Sequence, residues 1–158
     1  MFYETAGNKH GLKFNPFKAL VAPRPIGWIS SLDRNGVVNL APYSYFNAIS
    51  DTPPYVMFSS GGRKDSMRNV EETGEFVCSF VTYDLKDQMN ASSAKVGPDV
   101  DEFELAGLTS APSRMVKPPR VAQSPAALEC RHYKTIELPS LDGREGNFVV
   151  MGEVVGVY

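Results

Sequence analysis

Cysteine, histidine and tryptophan are scarce in this chain of 158 residues, at two, two and one copies. Cys78 and Cys130 stand singly in strand-like runs, with no C-x-x-C spacing and no histidine pair nearby. That excludes a zinc site and any other metal centre of this kind, and it reads both thiols as small buried hydrophobes of a reducing compartment. No apolar run nears the roughly 20 residues that span a bilayer. The start, MFYETAGNKHGLKF, lacks the charged-then-apolar order of a secretion signal, so no membrane association and a cytoplasmic location are expected. A net charge of −2 withholds the cationic surface that broad nucleic-acid binding needs, so any phosphate recognition must be local. The common nucleotide fingerprints are missing as well. Gly61 and Gly62 are adjacent and Arg63 intervenes before Lys64, which rules out G-x-x-x-x-G-K-[ST], and no G-x-G-x-x-G is present.

What is present fits one soluble domain, 1–158, long enough to bury a core. IGWISSL (26–32) reads as a strand, DRNG (33–36) as a hairpin turn and VVNLA (37–41) as the partner strand. PYSYFNAISDTPP (42–54) carries three prolines and is expected to be irregular, yet it is too aromatic for a linker. A strand at 55–60 is followed by a helix, Asp65 to Thr73, stopped by Gly74. EFVCSFV (75–81) alternates as a strand, and DLKDQMNASSA (84–94) reads as a helix capped by Asp84. After an irregular proline-rich stretch, AALECRHYKTIEL (126–138) is a strand. Leu128, Cys130, His132, Ile136 and Leu138 are assigned to its core face, and Glu129, Arg131, Thr135 and Glu137 to its wet face. The turn PSLDGREG leads to a last strand, NFVVMGEVVGVY, whose Gly152 and Gly156 mark bulges or bends. Strands dominate without βαβ alternation, so the fold class is mainly β with a few helices, a closed or nearly closed antiparallel barrel.

The chemistry concentrates in FSSGGRKDSMRN (58–69). Glycines let the backbone approach a ligand closely, Ser59, Ser60 and Ser66 offer hydroxyls, and Arg63 and Lys64 add charge where a helix begins with free N–H groups. The alternative is a solvated turn with Asp65 capping the helix. A phosphate held beside an aromatic segment matches an aromatic cofactor with a phosphorylated tail, such as flavin mononucleotide. NLAPYSYF (39–46) offers a flat bed for its ring, unless those aromatics are ordinary core. His132 is either a catalytic acid or base or a hydrogen-bonded core residue. Trp28 is read as core or interface, and Glu71 and Glu72 as a solvated helix face.

RPIGWISS (24–31), NLAPYSYFNAIS (39–50), FSSGGRKDSMRN and FELAGL (103–108) together resemble the flavin reductase-like family of FMN-binding split barrels, in order and spacing across nearly the whole chain. The resemblance implies an antiparallel split β-barrel of Greek-key type and a homodimer with one flavin per subunit near the interface. By position it implies that Ser30 and Ser31 touch the ribityl chain and phosphate, and that Pro42, Tyr43, Ser44, Tyr45 and Phe46 lie against the isoalloxazine. It implies likewise that Ser59, Ser60, Arg63, Lys64, Asp65 and Ser66 form the phosphate loop. Ser44 is the candidate donor to the reacting ring. Two departures stand out: Asn147 occupies the place where many reductases carry the histidine of a D-H pair, and the family usually continues well past GEVVGV. Part of the dimer surface or a lid is therefore expected to lie beyond these residues.

Three functions stay open. The first is an FMN-containing oxidoreductase, FAD being less favoured, with NADH or NADPH as transient donor and a flavin, a metal complex or a redox partner as acceptor. The second is a flavoredoxin-type electron-transfer or flavin carrier protein without its own nicotinamide site. The third is a module without flavin that captures a phosphorylated metabolite or an acidic partner.

Overall fold

A computed structural model describes residues 2–97, 100–140, 143 and 146–158. The sequence-predicted turn PSLDGREG falls partly outside them, at Leu141, Asp142, Arg144 and Glu145. In chain order the elements are α1 (Pro16–Leu20), β1 (Gly27–Leu32), β2 (Val38–Tyr43), β3 (Phe46–Asp51), β4 (Pro54–Gly61), α2 (Asp65–Thr73), β5 (Glu75–Ser79), α3 (Lys86–Ala91), α4 (Glu102–Leu105), β6 (Ser110–Ala111), β7 (Arg120–Val121), β8 (Ala127–Leu138) and β9 (Asn147–Val157).

Seven strands form one antiparallel sheet in the order β2-β1-β5-β8-β9-β4-β3. Its two edges, β2 and β3, follow each other in the chain, so the sheet must curl until they meet at residues 44–45. The closure is visible where the Tyr43 ring of β2 lies 4.8 Å from that of Phe58 of β4. The result is a split barrel, mostly antiparallel β with short helices, as the sequence led us to expect.

Inside the curl sit Ile29, Phe58, Phe76, Cys130 and Val150, each fully buried, and Met67 and Val70 of α2 join them. A second cluster, around Trp28, Leu40, Phe103 and Val121, covers the opposite face of β1. Trp28 is therefore core, and its Nε1–H donates to Ser92 Oγ at 2.9 Å. Burial on both faces explains why Ser30 and Ser31 are both 0% exposed rather than turned to solvent. Both cysteines are free and buried, and burial pushes the Cys78 thiol up to about 12. That matches their reading as small hydrophobes.

Three expectations need correcting. The stretch 42–54 is not irregular, because β2 continues to Tyr43 and Phe46–Asp51 pairs with β4. Its prolines fit because Pro42 lies on an edge strand and Pro54 opens a strand, where a missing N–H costs little. The helix expected at 84–94 begins as a 3₁₀ turn at Tyr83–Leu85 and ends at Ala91, without a side-chain cap from Asp84. The face assignment on β8 fails at both ends. Glu129 is 1% exposed, its carboxylate accepting the Arg114 N–H at 2.8 Å and the Met115 N–H, whereas Ile136 and Leu138 are each 41% exposed. A bulge at Tyr133 shifts the register against β9 and reverses the alternation beyond it.

The glycines of β9 sit where the bulges are. A Cβ at Gly152 would come within 2.4 Å of the Phe76 ring and 3.1 Å of the Arg131 carbonyl. Gly152→Ala should therefore destabilise the fold by about 1–3 kcal/mol through overpacking. Urea denaturation measures this, and an unchanged midpoint would refute the close approach.

Candidate functional site

The turn between β4 and α2 is built from its own backbone. Gly62 takes φ 85°, its carbonyl accepts the Lys64 N–H at 3.0 Å, and the Ser60 hydroxyl donates to the same carbonyl at 2.9 Å. Lys64 then occupies the position before the first helical residue, where no side chain caps the helix. Asp65 does not cap it either; its carboxylate pairs with Arg68. Among the described residues no side chain accepts from the first N–H groups of α2, at the end where the helix dipole is positive.

This helix start opens onto a cleft of about 550 Å³. Ser59, Arg63, Lys64, Asp65 and Ser66 line one side, and Pro42, Tyr43, Ser44 and Tyr45 line the next. The Ser66 hydroxyl, 1% exposed, accepts from Asn39 Nδ2 at 2.7 Å, which ties β2 to α2. The Tyr43 hydroxyl joins Ser66 and Ser60, while burial raises its pKa. Arg63 pairs with Glu71 at 2.8 Å and lies over the Phe148 ring, so Glu71 is no simple solvated position; Glu72 likewise pairs with Arg34. The Lys64 ammonium has no ion pair among the described residues.

Other sequence-predicted site residues are not brought into this cleft. The Ser30 hydroxyl donates to the Pro119 carbonyl, and the Ser31 hydroxyl accepts from Asn69 Nδ2 at 3.3 Å. Ser60 is fully buried behind the turn. Phe46 alternates away from Tyr45 and lines a separate, largely apolar cavity with Arg24 and Leu128. His132 lies on β8 with Nε2 at 2.9 Å from Thr135 Oγ1, and burial lowers its pKa. The ring is half-buried and does not border the cleft. Among the described residues no group of three His, Cys, Asp or Glu is placed to hold a metal ion, and no helix is long and apolar enough to cross a membrane.

Part of the lining was missed by sequence reasoning. Ser92, Ser93, Lys95 and Val96, after α3, line the same cleft, together with Glu102. The run SSAK repeats the serine-and-lysine composition of the first loop and was the available signal. Glu102 gave none, because an acidic residue at a helix start reads as a partner of the helix dipole. It is 7% exposed, and its Oε2 accepts the Leu40 N–H at 2.9 Å.

Comparison with known proteins places these features in context. A family model described as "Flavin reductase like domain" matches residues 20–158. An uncharacterized protein of Aquifex aeolicus is 41% identical over 122 residues, which cover 74% of this chain and 62% of that protein. Thus the chain spans less than two thirds of the length of that relative. The solved nitrilotriacetate monooxygenase component B of Bacillus cereus is similar at 30% identity and a TM-score of 0.88, covering 100% of this chain and 81% of that one. The 2-nitrobenzoate 2-nitroreductase of Pseudomonas fluorescens aligns at 30% identity and a TM-score of 0.85, covering 100% and 76%.

Burial raises the Glu102 carboxyl above its ordinary 4.5, the Leu40 N–H opposes the shift, and Asp65 and Asp101 add to it. A folded-state value above the unfolded one favours the protonated form in the fold. The associated stability is full below the unfolded value and is lost as pH rises through the folded one. Glu102→Gln, which stays neutral, should therefore gain stability relative to the parent chain as pH rises from about 4 towards neutrality. Thermal melts across pH test this; a difference independent of pH would mean that burial does not perturb the carboxyl.

Proposed function

The chain belongs to the flavin reductase-like family, and from that premise we propose that it is an FMN-binding oxidoreductase whose cleft anchors the flavin by its phosphate at the start of α2. The observation that carries this reading is the uncapped helix start opening onto the cleft beside Lys64. Free N–H groups, a positive helix end and an ammonium together form an anion site. The donor set fits a phosphorylated flavin in its other parts too. Ser59 lies beside the corner, Tyr43 and Tyr45 line the adjoining wall, and a volume of about 550 Å³ falls in the range of cofactor clefts.

When bound, FMN would supply the hydride chemistry, between NADH or NADPH as donor and a flavin, metal complex or redox partner as acceptor. The protein's part is to bind and orient. Lys64 and the first turn of α2 hold the dianion, with Arg63 braced by Glu71 on the same side. Ser44, on the ring wall, is the side chain whose hydroxyl we assign to donate a hydrogen bond towards the ring edge. Ser30, Ser31 and Ser60 support the site from behind, since their hydroxyls are engaged by Pro119, Asn69 and Gly62. FMN is preferred to FAD on the family resemblance, and a cytoplasmic homodimer is part of the same proposal.

One observation favours a second reading, a flavoredoxin-type carrier without a nicotinamide site. Asn147, which opens β9 opposite Gly61, cannot titrate where the resemblance leads one to expect a histidine. Rapid mixing of FMN-loaded protein with NADH and with NADPH separates the two. Loss of the flavin absorbance with either donor is expected, and no bleaching with both would favour the carrier.

Replacing Lys64 by alanine should weaken FMN binding by about 1.5–3 kcal/mol, as for one charge-assisted bond to the phosphate, and leave riboflavin binding nearly unchanged. Titration by flavin fluorescence measures both. An equal loss for riboflavin would refute the phosphate assignment.

A further inference from the structure

Glu102 differs from the other carboxylate of the cleft lining. Asp65 is engaged by the Arg68 guanidinium, whereas Glu102 has no cation paired with it among the described residues. Instead it is fixed to β2. An edge strand leaves some N–H groups without a ladder partner, and the Leu40 N–H is satisfied by Glu102 Oε2 at 2.9 Å. The side chain is 7% exposed and borders the cleft.

Its position along β2 gives this carboxylate a task. Asn39, one residue before Leu40, donates to Ser66 at the start of α2; Pro42, two residues after it, begins the wall that runs to Tyr45. At about 3.3 Å per residue, Leu40 to Ser44 spans about 13 Å. A ligand with its anion at the α2 corner and its ring against that wall would share the cleft with Glu102, whose carboxylate borders it beside Leu40. An apolar connector would leave the carboxylate desolvated and unpaired, and a phosphate would meet like charge. A connector bearing hydroxyls would donate to it.

We infer that Glu102 accepts hydrogen bonds from a polyol segment joining the phosphate to the ring, and so selects flavins that carry the ribityl chain over flavins that lack it. The inference rests on the flavin reading of the cleft, and its test separates the two. FMN, riboflavin and lumiflavin, which has no ribityl chain, are titrated by calorimetry against the parent chain and against Glu102→Gln. The amide oxygen of Gln keeps the Leu40 bond, while its NH₂ replaces the acceptor that borders the cleft.

Expected are losses of about tenfold for FMN and for riboflavin, as for one charge-assisted bond, with lumiflavin unchanged. Glu102→Asp, which withdraws the charge by one methylene, should show the same pattern, and retained lumiflavin binding reports an intact cleft. Equal losses for all three ligands would reduce Glu102 to a structural role. Tighter FMN with riboflavin unchanged would mean that it only repels the phosphate, and no change for any ligand would remove it from the site; each overturns the inference while leaving the flavin reading in place. A parent chain that binds none of the three would overturn both.

Discussion

Met67 and Val70 are fully buried among the aromatic residues of the barrel interior, and their seating decides where the start of α2 points. These two residues, three apart on a nine-residue helix, are its apolar stripe. With them inserted, the start of α2 borders the cleft, where no side chain among the described residues caps it. The close approach of Tyr43 to Phe58 joins β2 to β4 beside that cleft. Packing thus sets the direction of an electrostatic feature, although no apolar atom need touch the ligand.

The charges around the cleft divide by what restrains them. Arg63 is braced by Glu71 and by the Phe148 ring, and Asp65 is occupied by Arg68. Those pairs are partly exposed, so they contribute little to stability. Their effect is to limit which groups can turn towards a ligand. Among the described residues Lys64 makes no ion pair and lines the cleft, and Glu102 is held by a backbone donor rather than a cation. The cleft thus carries positive charge at the helix start and a buried carboxylate of α4 tied to β2.

Much of this was legible in the chain. The bounds of α2 follow from its apolar spacing and from Gly74, which takes φ 78° at the stop. The β1–β2 hairpin follows from D-x-N-G, where the Asp33 carboxylate accepts the Asn35 and Val37 N–H groups. Both are local: every partner lies within a few residues. The errors are of another kind. Alternation on β8 was extended across Tyr133 because nothing in AALECRHYKTIEL announces a bulge, which exists only relative to β9. Glu129 looked wet because its acceptors' partners, the N–H groups of Arg114 and Met115, come from a loop about fifteen residues earlier. The prolines of 42–54 read as irregular because a sequence does not say which strands will be edges.

The residue types alone determined that a glycine-, serine- and lysine-rich turn precedes a helix, that the fold is antiparallel β, and which family it resembles, since each depends on short-range chemistry or on the order of motifs. Only the folded chain decided that residues 92–96 and Glu102 line the same cleft as that turn, that Phe46 turns into a different cavity from Tyr45, and that Ser30 and Ser31 point inward. Those outcomes depend on how a curled sheet brings residues distant in sequence to one rim. That geometry is set by the packing of the whole barrel rather than by any segment of it.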